Sequence, residues 1–493
     1  MTTKNLSSSA LRSPMIRTSL RTPLRTIGAL SLAATALTGC SSDTLVVPNP
    51  NFPTIAGASG DPQSLQLLAT GLLRQNRNSR GGYITETGRF GRELYIYSPN
   101  EGRNTTNYLI GLSGQNRLDN AGFAVGSFGG PYGNLRDVFN FKNTVDASTL
   151  SAEQKNAALG FAKTIEAMEL LTVIATRDTI GAVVQINADP LELAPFVSRD
   201  SVYKYILNTL DEANTLLGTG GTAFPFTLHS GFTGFNTPTT FRQFNRAITA
   251  RAAAYYATSG GGAAAWQRSL TALDGSFINA NATTAAALNA GVYYPYGASP
   301  DVSNPVNQAT NTDLYAHMSI EADAPLKADG TKDNRYLAKI ITRPSRSGPT
   351  GTSVASTLGF SVYPTISTSI PVIRNEELLF LRAEGLLATG NKAGALTIIN
   401  SIRVNSGGLA PSTLTAASPD ADILTELLLQ KRYSLLLEGH RWVDMRRYGR
   451  LNQLPLDITT GVNAHFVAKV MPIPQAECLQ RVGKDASLAG PGC

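Results

Sequence analysis

The sequence predicts a mainly α fold built from paired helices, with long loop insertions and a few short strands. Three observations carry that expectation. Apolar residues recur at helical spacing in many separate segments, and those segments alternate with stretches rich in Gly, Asn, Thr and aromatic residues. The composition, 42% hydrophobic and 16% charged over 493 residues, is that of a globular chain with enough apolar material for a large core.

The first 39 residues read as a signal peptide. Lys4, Arg12, Arg17, Arg21 and Arg25 form a basic stretch without an acid, and Thr26 to Leu37 is apolar and far short of the roughly 20 residues that span a bilayer. Five of the seven net positive charges belong to this leader, leaving +2 for the rest, too little for an electrostatic case for nucleic acid. Leu37-Thr38-Gly39-Cys40 resembles a bacterial lipobox, which makes Cys40 the lipid attachment point. Residues 40–60, with Ser41, Ser42, Asp43 and a Pro/Asn-rich run to Pro53, read as a flexible tether. No later apolar segment approaches membrane-spanning length, so residues 61–493 are expected to form a single domain outside the bilayer.

Amphipathic helices are predicted at about 62–77, 151–177, 199–217, 239–258, 263–274 and 420–439, the second capped by Ser151 with Glu153 and Gln154. Leu379, Ala383, Leu386 and Leu387 form one stripe; Ala395, Ile398, Ile399 and Ile402 form another. Two helices therefore meet across Gly390-Asn391 as an antiparallel hairpin, with Ala383 and Ala395 small enough for close approach. The spacing is tetratricopeptide-like. The segments at about 78–145, 218–238, 275–313 and 343–371 read as loops with short strands, and loops of that length are usually functional.

The C-terminal third carries four ordered motifs: Arg374-Asn375-Glu376-Glu377-Leu378-Leu379-Phe380-Leu381-Arg382-Ala383-Glu384; Ala395 to Arg403; Arg432 through Glu438-Gly439-His440-Arg441-Trp442-Val443-Asp444-Met445-Arg446-Arg447; and Pro472-Ile473-Pro474. Together they resemble the SusD/RagB family, as do Phe161 to Gly181 and Ser198 to Ala213 upstream. The resemblance covers about 150 to 475, with the motifs in 374–475 the most specific part. It implies a surface-exposed, lipid-anchored outer-membrane protein on helical repeat pairs. Such a protein binds an oligosaccharide, or in some members a peptide, and caps a TonB-dependent SusC-like transporter. The resemblance implies no catalytic residues and no cofactor.

Glu438, His440, Asp444 and three arginines within ten residues could pass for an active site, but helical spacing suggests a structural role. Arg441 lies three residues from both Glu438 and Asp444 and is expected to bond them along one face, while Trp442 and Met445 share another. Arg432 and Arg447 are assigned to the same framework, as are Arg374, Glu377, Arg382 and Glu384. His229, His317, His440 and His465 are too scattered along the chain for a metal motif, and short signatures of acyl hydrolases, nucleotide hydrolases and dinucleotide enzymes are missing. Cys478 and Cys493, in an exported chain, are expected to form a disulfide.

A saccharide has apolar C–H faces and a rim of hydroxyls, so its binder needs exposed rings flanked by amide, carboxylate or guanidinium groups. The candidates are Tyr83, Arg92, Glu93, Tyr95, Tyr97 and Asn100, with Arg89 and Asn104 nearby, and Trp266, Tyr293 and Tyr294, with Tyr296. Alternation in an extended segment puts Tyr95 and Tyr97 on one face. The competing role for each ring is packing its loop onto the helices. Two other functions fit the sequence less well: a protein-interaction scaffold with no soluble ligand, and a surface glycan hydrolase whose two carboxylates come from distant segments.

Overall fold

The computed structural model describes residues 62–189, 191–485 and 493. The leader, Cys40 and the tether to residue 60 lie outside the described residues. Among the described residues six long helices come first: α1 (Pro62–Phe90), α2 (Gly129–Ala147), α3 (Ala152–Arg177), α4 (Arg199–Gly218), α5 (Pro238–Tyr256) and α6 (Gly262–Asp274). A loop-rich segment separates them from α7 (Asn375–Ala388), α8 (Lys392–Asn405), α9 (Asp420–Ser434) and the short α10 (Arg441–Arg447). From α1 to α6 each helix packs on the next, and α7 then lies against α5, α6, α8 and α9. The fold is mainly α, in helical pairs. No helix among the described residues is long and apolar enough to cross a membrane.

Local chemistry accounts for the helix ends. Ser151 caps α3 by accepting from the Gln154 N–H at 3.2 Å while its own N–H donates to Gln154 Oε1 at 3.1 Å. Thr237 caps α5, whose first residue is Pro238, where a missing N–H costs nothing. Gly390, at a φ of 87°, turns the chain between α7 and α8, and Asn391 Oδ1 caps α8 through the Gly394 N–H at 2.9 Å. Ala383 and Ala395 are fully buried in the core shared by α7, α8 and α9, alongside Leu379, Leu387, Ile399 and Ile402. A second, larger core runs under α1 to α6.

Two boundaries differ from expectation. The segment 78–145 is not a continuous loop: α1 runs on to Phe90, and α2 occupies 129–147. Tertiary contacts override the Asn-, Ser- and Gly-rich sequence there. Asn76 donates to Glu169 at 2.7 Å, Arg77 donates to the Pro295 carbonyl at 2.9 Å, and a Cβ on Gly81 would stand 2.2 Å from the Pro305 ring. The helix expected at 420–439 ends at Ser434, because Leu437 and Gly439 both take positive φ.

The strands form three two-stranded antiparallel sheets: β1 (Leu94–Ile96) with β3 (Leu314–Ala316), β2 (Gly291–Tyr294) with β6 (Ile370–Arg374), and β4 (Ile340–Arg346) with β5 (Ser356–Phe360). Strand β6 is buried along its whole length and leads directly into α7.

The motif residues of the C-terminal third form a buried network of ion pairs. Lys431 lies 2.9 Å from Glu384 and 3.0 Å from Asp444; Arg447 pairs with both carboxylates. Arg374 bridges Glu376 and Glu438 at 2.5 and 2.8 Å, and Arg251 of α5 meets Glu377 at 2.6 Å. Burial alone would raise the Glu384 carboxyl, but Arg447 and Lys431 hold it down to about 2. Arg432 reaches Asp323 at 2.6 Å, and the Trp442 indole donates to the Ala468 carbonyl at 2.8 Å. The expected partners of Arg441 are corrected: its Nε donates to the Gly91 carbonyl at 3.1 Å, while Glu438 and Asp444 serve Arg374 and Lys431. The helical spacing from Glu438 to Arg441 does not exist, since α10 begins only at Arg441. Gly439 has a φ of 82°, and a Cβ there would stand 2.5 Å from the Tyr83 ring.

Candidate ligand-binding site

The first group of sequence candidates follows α1. Tyr95 lies opposite Tyr315 in the β1–β3 ladder, and its ring centroid is 5.3 Å from that of Tyr97. The two rings share a face, as alternation requires, but that face is buried: Tyr95 is 1% exposed and Tyr97 0%. The Tyr95 hydroxyl bonds Asp457, which also accepts from His317 Nε2 at 3.1 Å, and the Tyr97 hydroxyl donates to the Val354 carbonyl at 2.7 Å. Arg92 is wholly buried and donates to the carbonyls of Arg89, Pro455 and Phe466 at 3.0, 3.1 and 2.8 Å. Glu93 is buried, and desolvation pushes its carboxyl up to about 7. Asn100 alone of this group is exposed.

The second group is divided as well. Trp266 sits on α6 at 6% exposure, within the larger core. Tyr293 is half-buried with its hydroxyl on the Asn289 carbonyl, and Tyr294 is buried with its hydroxyl on Asn76. The expectation of open aromatic platforms is therefore corrected for Tyr83, Tyr95, Tyr97, Trp266 and Tyr294. Each ring is covered, and for Tyr95, Tyr97 and Tyr294 the hydroxyl's partner is inside the fold.

Tyr83 and Tyr294 border a cavity of about 50 Å³ between α1, α3 and α5, together with Arg80, Glu169, Arg251 and His440. At roughly 10–15 Å³ per water it has room for a few waters and not for a sugar ring. Glu169 accepts from Asn76 and Asn134 at 2.7 and 2.6 Å, yet burial pushes its carboxyl up to about 7. Burial would lower the Arg251 guanidinium, but its pairing with Glu377 holds it above the usual range. The cavity is a polar interior and does not face a ligand.

The sequence reading missed a surface groove of about 410 Å³ between the start of α2, residues 183–187 and 192–194, and the helix Gln475–Arg481. Tyr132 is half-buried there, its ring centroid 4.6 Å from that of Phe128. Its hydroxyl donates to the Val183 carbonyl at 3.1 Å and accepts from the Val183 N–H at 2.8 Å. Arg136, one turn on along α2, donates to the Asn187 carbonyl at 2.6 Å. Exposed Gln185 and Glu192 complete a rim of amide, carboxylate and guanidinium groups beside a ring. The signal available in the sequence was Tyr132 and Arg136 at helical spacing, hidden because 78–145 read as loop.

Cys478 and Cys493 are disulfide-bonded, tying the helix Gln475–Arg481 to the last residue. Among the described residues no cluster of His, Cys, Asp and Glu has the makeup of a metal site.

Comparison with known proteins gives a family match over part of the chain and a shared fold. Residues 252–484 match the SusD family. A SusD superfamily protein of Bacteroides vulgatus has a TM-score of 0.62 at 15% identity, covering 85% of this chain and 97% of its own. A SusD-like carbohydrate-binding protein of Bacteroides fragilis has 0.64 at 16%, covering 87% and 99%. The B. fragilis protein NanU has 0.64 at 14%, covering 90% and 98%. No curated protein matches the chain in sequence.

Proposed function

We propose, from the match of residues 252–484 to the SusD family and the SusD-like fold of the described body, that this protein captures an oligosaccharide at the bacterial outer membrane. It passes that ligand unaltered to a SusC-like TonB-dependent transporter, held at the surface by acyl chains on Cys40. The family match carries this reading. A carbohydrate-binding relative of the same fold supports the ligand class, and the lipobox at Leu37 to Cys40 supports the anchor.

The saccharide is assigned to the Tyr132 groove. A sugar's C–H face stacks on the ring, and Arg136, Gln185 and Glu192 serve its hydroxyls. One half-buried ring and a few hydrogen bonds offset only part of the ordering cost, so affinity is micromolar or weaker. The test is a glycan and peptide screen on soluble chain lacking residues 1–40, followed by titration of Tyr132→Ala and Tyr132→Phe. Tyr132→Ala should weaken binding about five- to twelvefold, as loss of a stacking ring worth roughly 1–1.5 kcal/mol predicts, and Tyr132→Phe should bind nearly as wild type. Binding to nothing in the screen overturns the saccharide reading; full affinity in Tyr132→Ala overturns the groove. Palmitate labelling that persists in Cys40→Ala overturns the anchor.

A further inference from the structure

On the helical scaffold, α4, α5 and α6 border a groove of about 540 Å³. Thr239, Arg242, Gln243, Arg246 and Thr249 recur along α5 in steps of three and four residues and therefore share one face of it. Asp211 looks onto that face from α4 and Arg268 from α6. Three guanidiniums thus stand over a single carboxylate. Asp211 is divided between two of them, meeting Arg246 at 2.7 Å and Arg268 at 2.5 Å. Those two are anchored further by the Leu210 and Leu207 carbonyls at 2.6 and 2.9 Å. Arg242 is exposed, donates to Asn214 at 2.7 Å, and has no carboxylate partner among the described residues.

The groove therefore carries an excess of two positive charges, held in fixed positions before any partner arrives. Burial lowers Arg246, and the nearby Arg268 and Arg242 push it the same way against Asp211. No aromatic side chain lines the groove, which leaves a sugar nothing to stack on. The remaining polar lining is threonine, asparagine and glutamine, suited to a peptide backbone, and guanidinium forks match carboxylates.

We propose that this groove docks an acidic segment of a partner protein, with carboxylates on Arg242 and on the open side of Arg268, while Arg246, held by Asp211, Leu210 and Asn245, adds its charge from behind. The proposal is independent of the saccharide reading and uses different residues. It is tested with the full chain in detergent and two fluorescent probes, hexaglutamate and hexaglutamine, at low and high salt. Hexaglutamate should bind, hexaglutamine should bind at least about tenfold more weakly, and added salt should erode the difference. Arg242→Glu should weaken hexaglutamate about tenfold and Arg242→Gln about threefold, while Arg103→Glu, at an exposed arginine opening the short helix Arg103–Leu109, stays within about twofold. If Arg242→Glu fails to fold, Arg242→Gln decides. Equal binding of the two probes, unchanged affinity in the Arg242 variants, or an equal loss in Arg103→Glu would overturn the proposal.

Discussion

Around α7, α9 and α10, charged side chains are matched with one another: Lys431 and Arg447 with Glu384 and Asp444, Arg374 with Glu376 and Glu438, Arg251 with Glu377. In the loops after α1 the same residue types are taken up by backbone. Arg92 serves three carbonyls, and the hydroxyls of Tyr97, Tyr108 and Tyr315 go to those of Val354, Phe123 and Pro344. A helix satisfies its own interior carbonyls and leaves side chains to pair with side chains. Irregular chain leaves carbonyls in need of donors, and buried ones must be met. Polar and aromatic residues in a long loop are therefore weaker evidence of ligand contact than their composition suggests.

The largest effect expected is in the network. Glu384→Ala leaves Lys431 and Arg447 sharing Asp444 and should lower unfolding free energy by about 3 kcal/mol or more in urea titration at neutral pH. The Glu384 carboxyl titrates lower folded, at about 2, than its ordinary 4.5. Its contribution is thus present above pH 4.5 and lost as pH falls toward 2, where wild type and variant should converge. A constant difference down to pH 2 would remove the ion pairs as the cause.

Next comes Trp266→Ala, expected to cost about 3 kcal/mol through a core cavity while leaving saccharide affinity unchanged. Lost affinity without lost stability would restore Trp266 as a platform. Glu169→Gln should separate from wild type only as pH rises. The wild-type carboxyl is raised to about 7 by burial, so its stabilising neutral form is complete below 4.5 and lost through 7. The amide keeps an acceptor for Asn76 and Asn134, and the variant should be more stable by on the order of 3 kcal/mol at pH 8 and equal at pH 4. Smallest is Arg382→Ala, which breaks an ion pair with the largely exposed Asp274 and should change thermal stability by less than about 0.5 kcal/mol.

Much of the scaffold was legible in the sequence. Ser151 and Gln154 make the expected cap, Gly390 and Asn391 make the expected break, and Ala383 and Ala395 meet in the core. The candidate site was less legible. Tyr95 and Tyr97 do share a face, but periodicity cannot tell a face turned to solvent from one buried beside Val354 and Asp457. Arg441 was given the wrong partners because one left-handed glycine, Gly439, interrupts a spacing that otherwise reads as helical.

Sequence alone determined the helical pairs, the family motifs, the structural role of Arg374, Glu384, Asp444 and Arg447, and the expectation of a leader ending at Cys40. These follow from short-range spacing, capping and pattern. Tertiary structure decided which arginine meets which carboxylate, which rings are covered, and that Tyr132 with Arg136 borders a groove. Those outcomes depend on segments distant in sequence, such as Gly91 and Arg441 or Tyr95 and Asp457, whose meeting only the packed fold specifies.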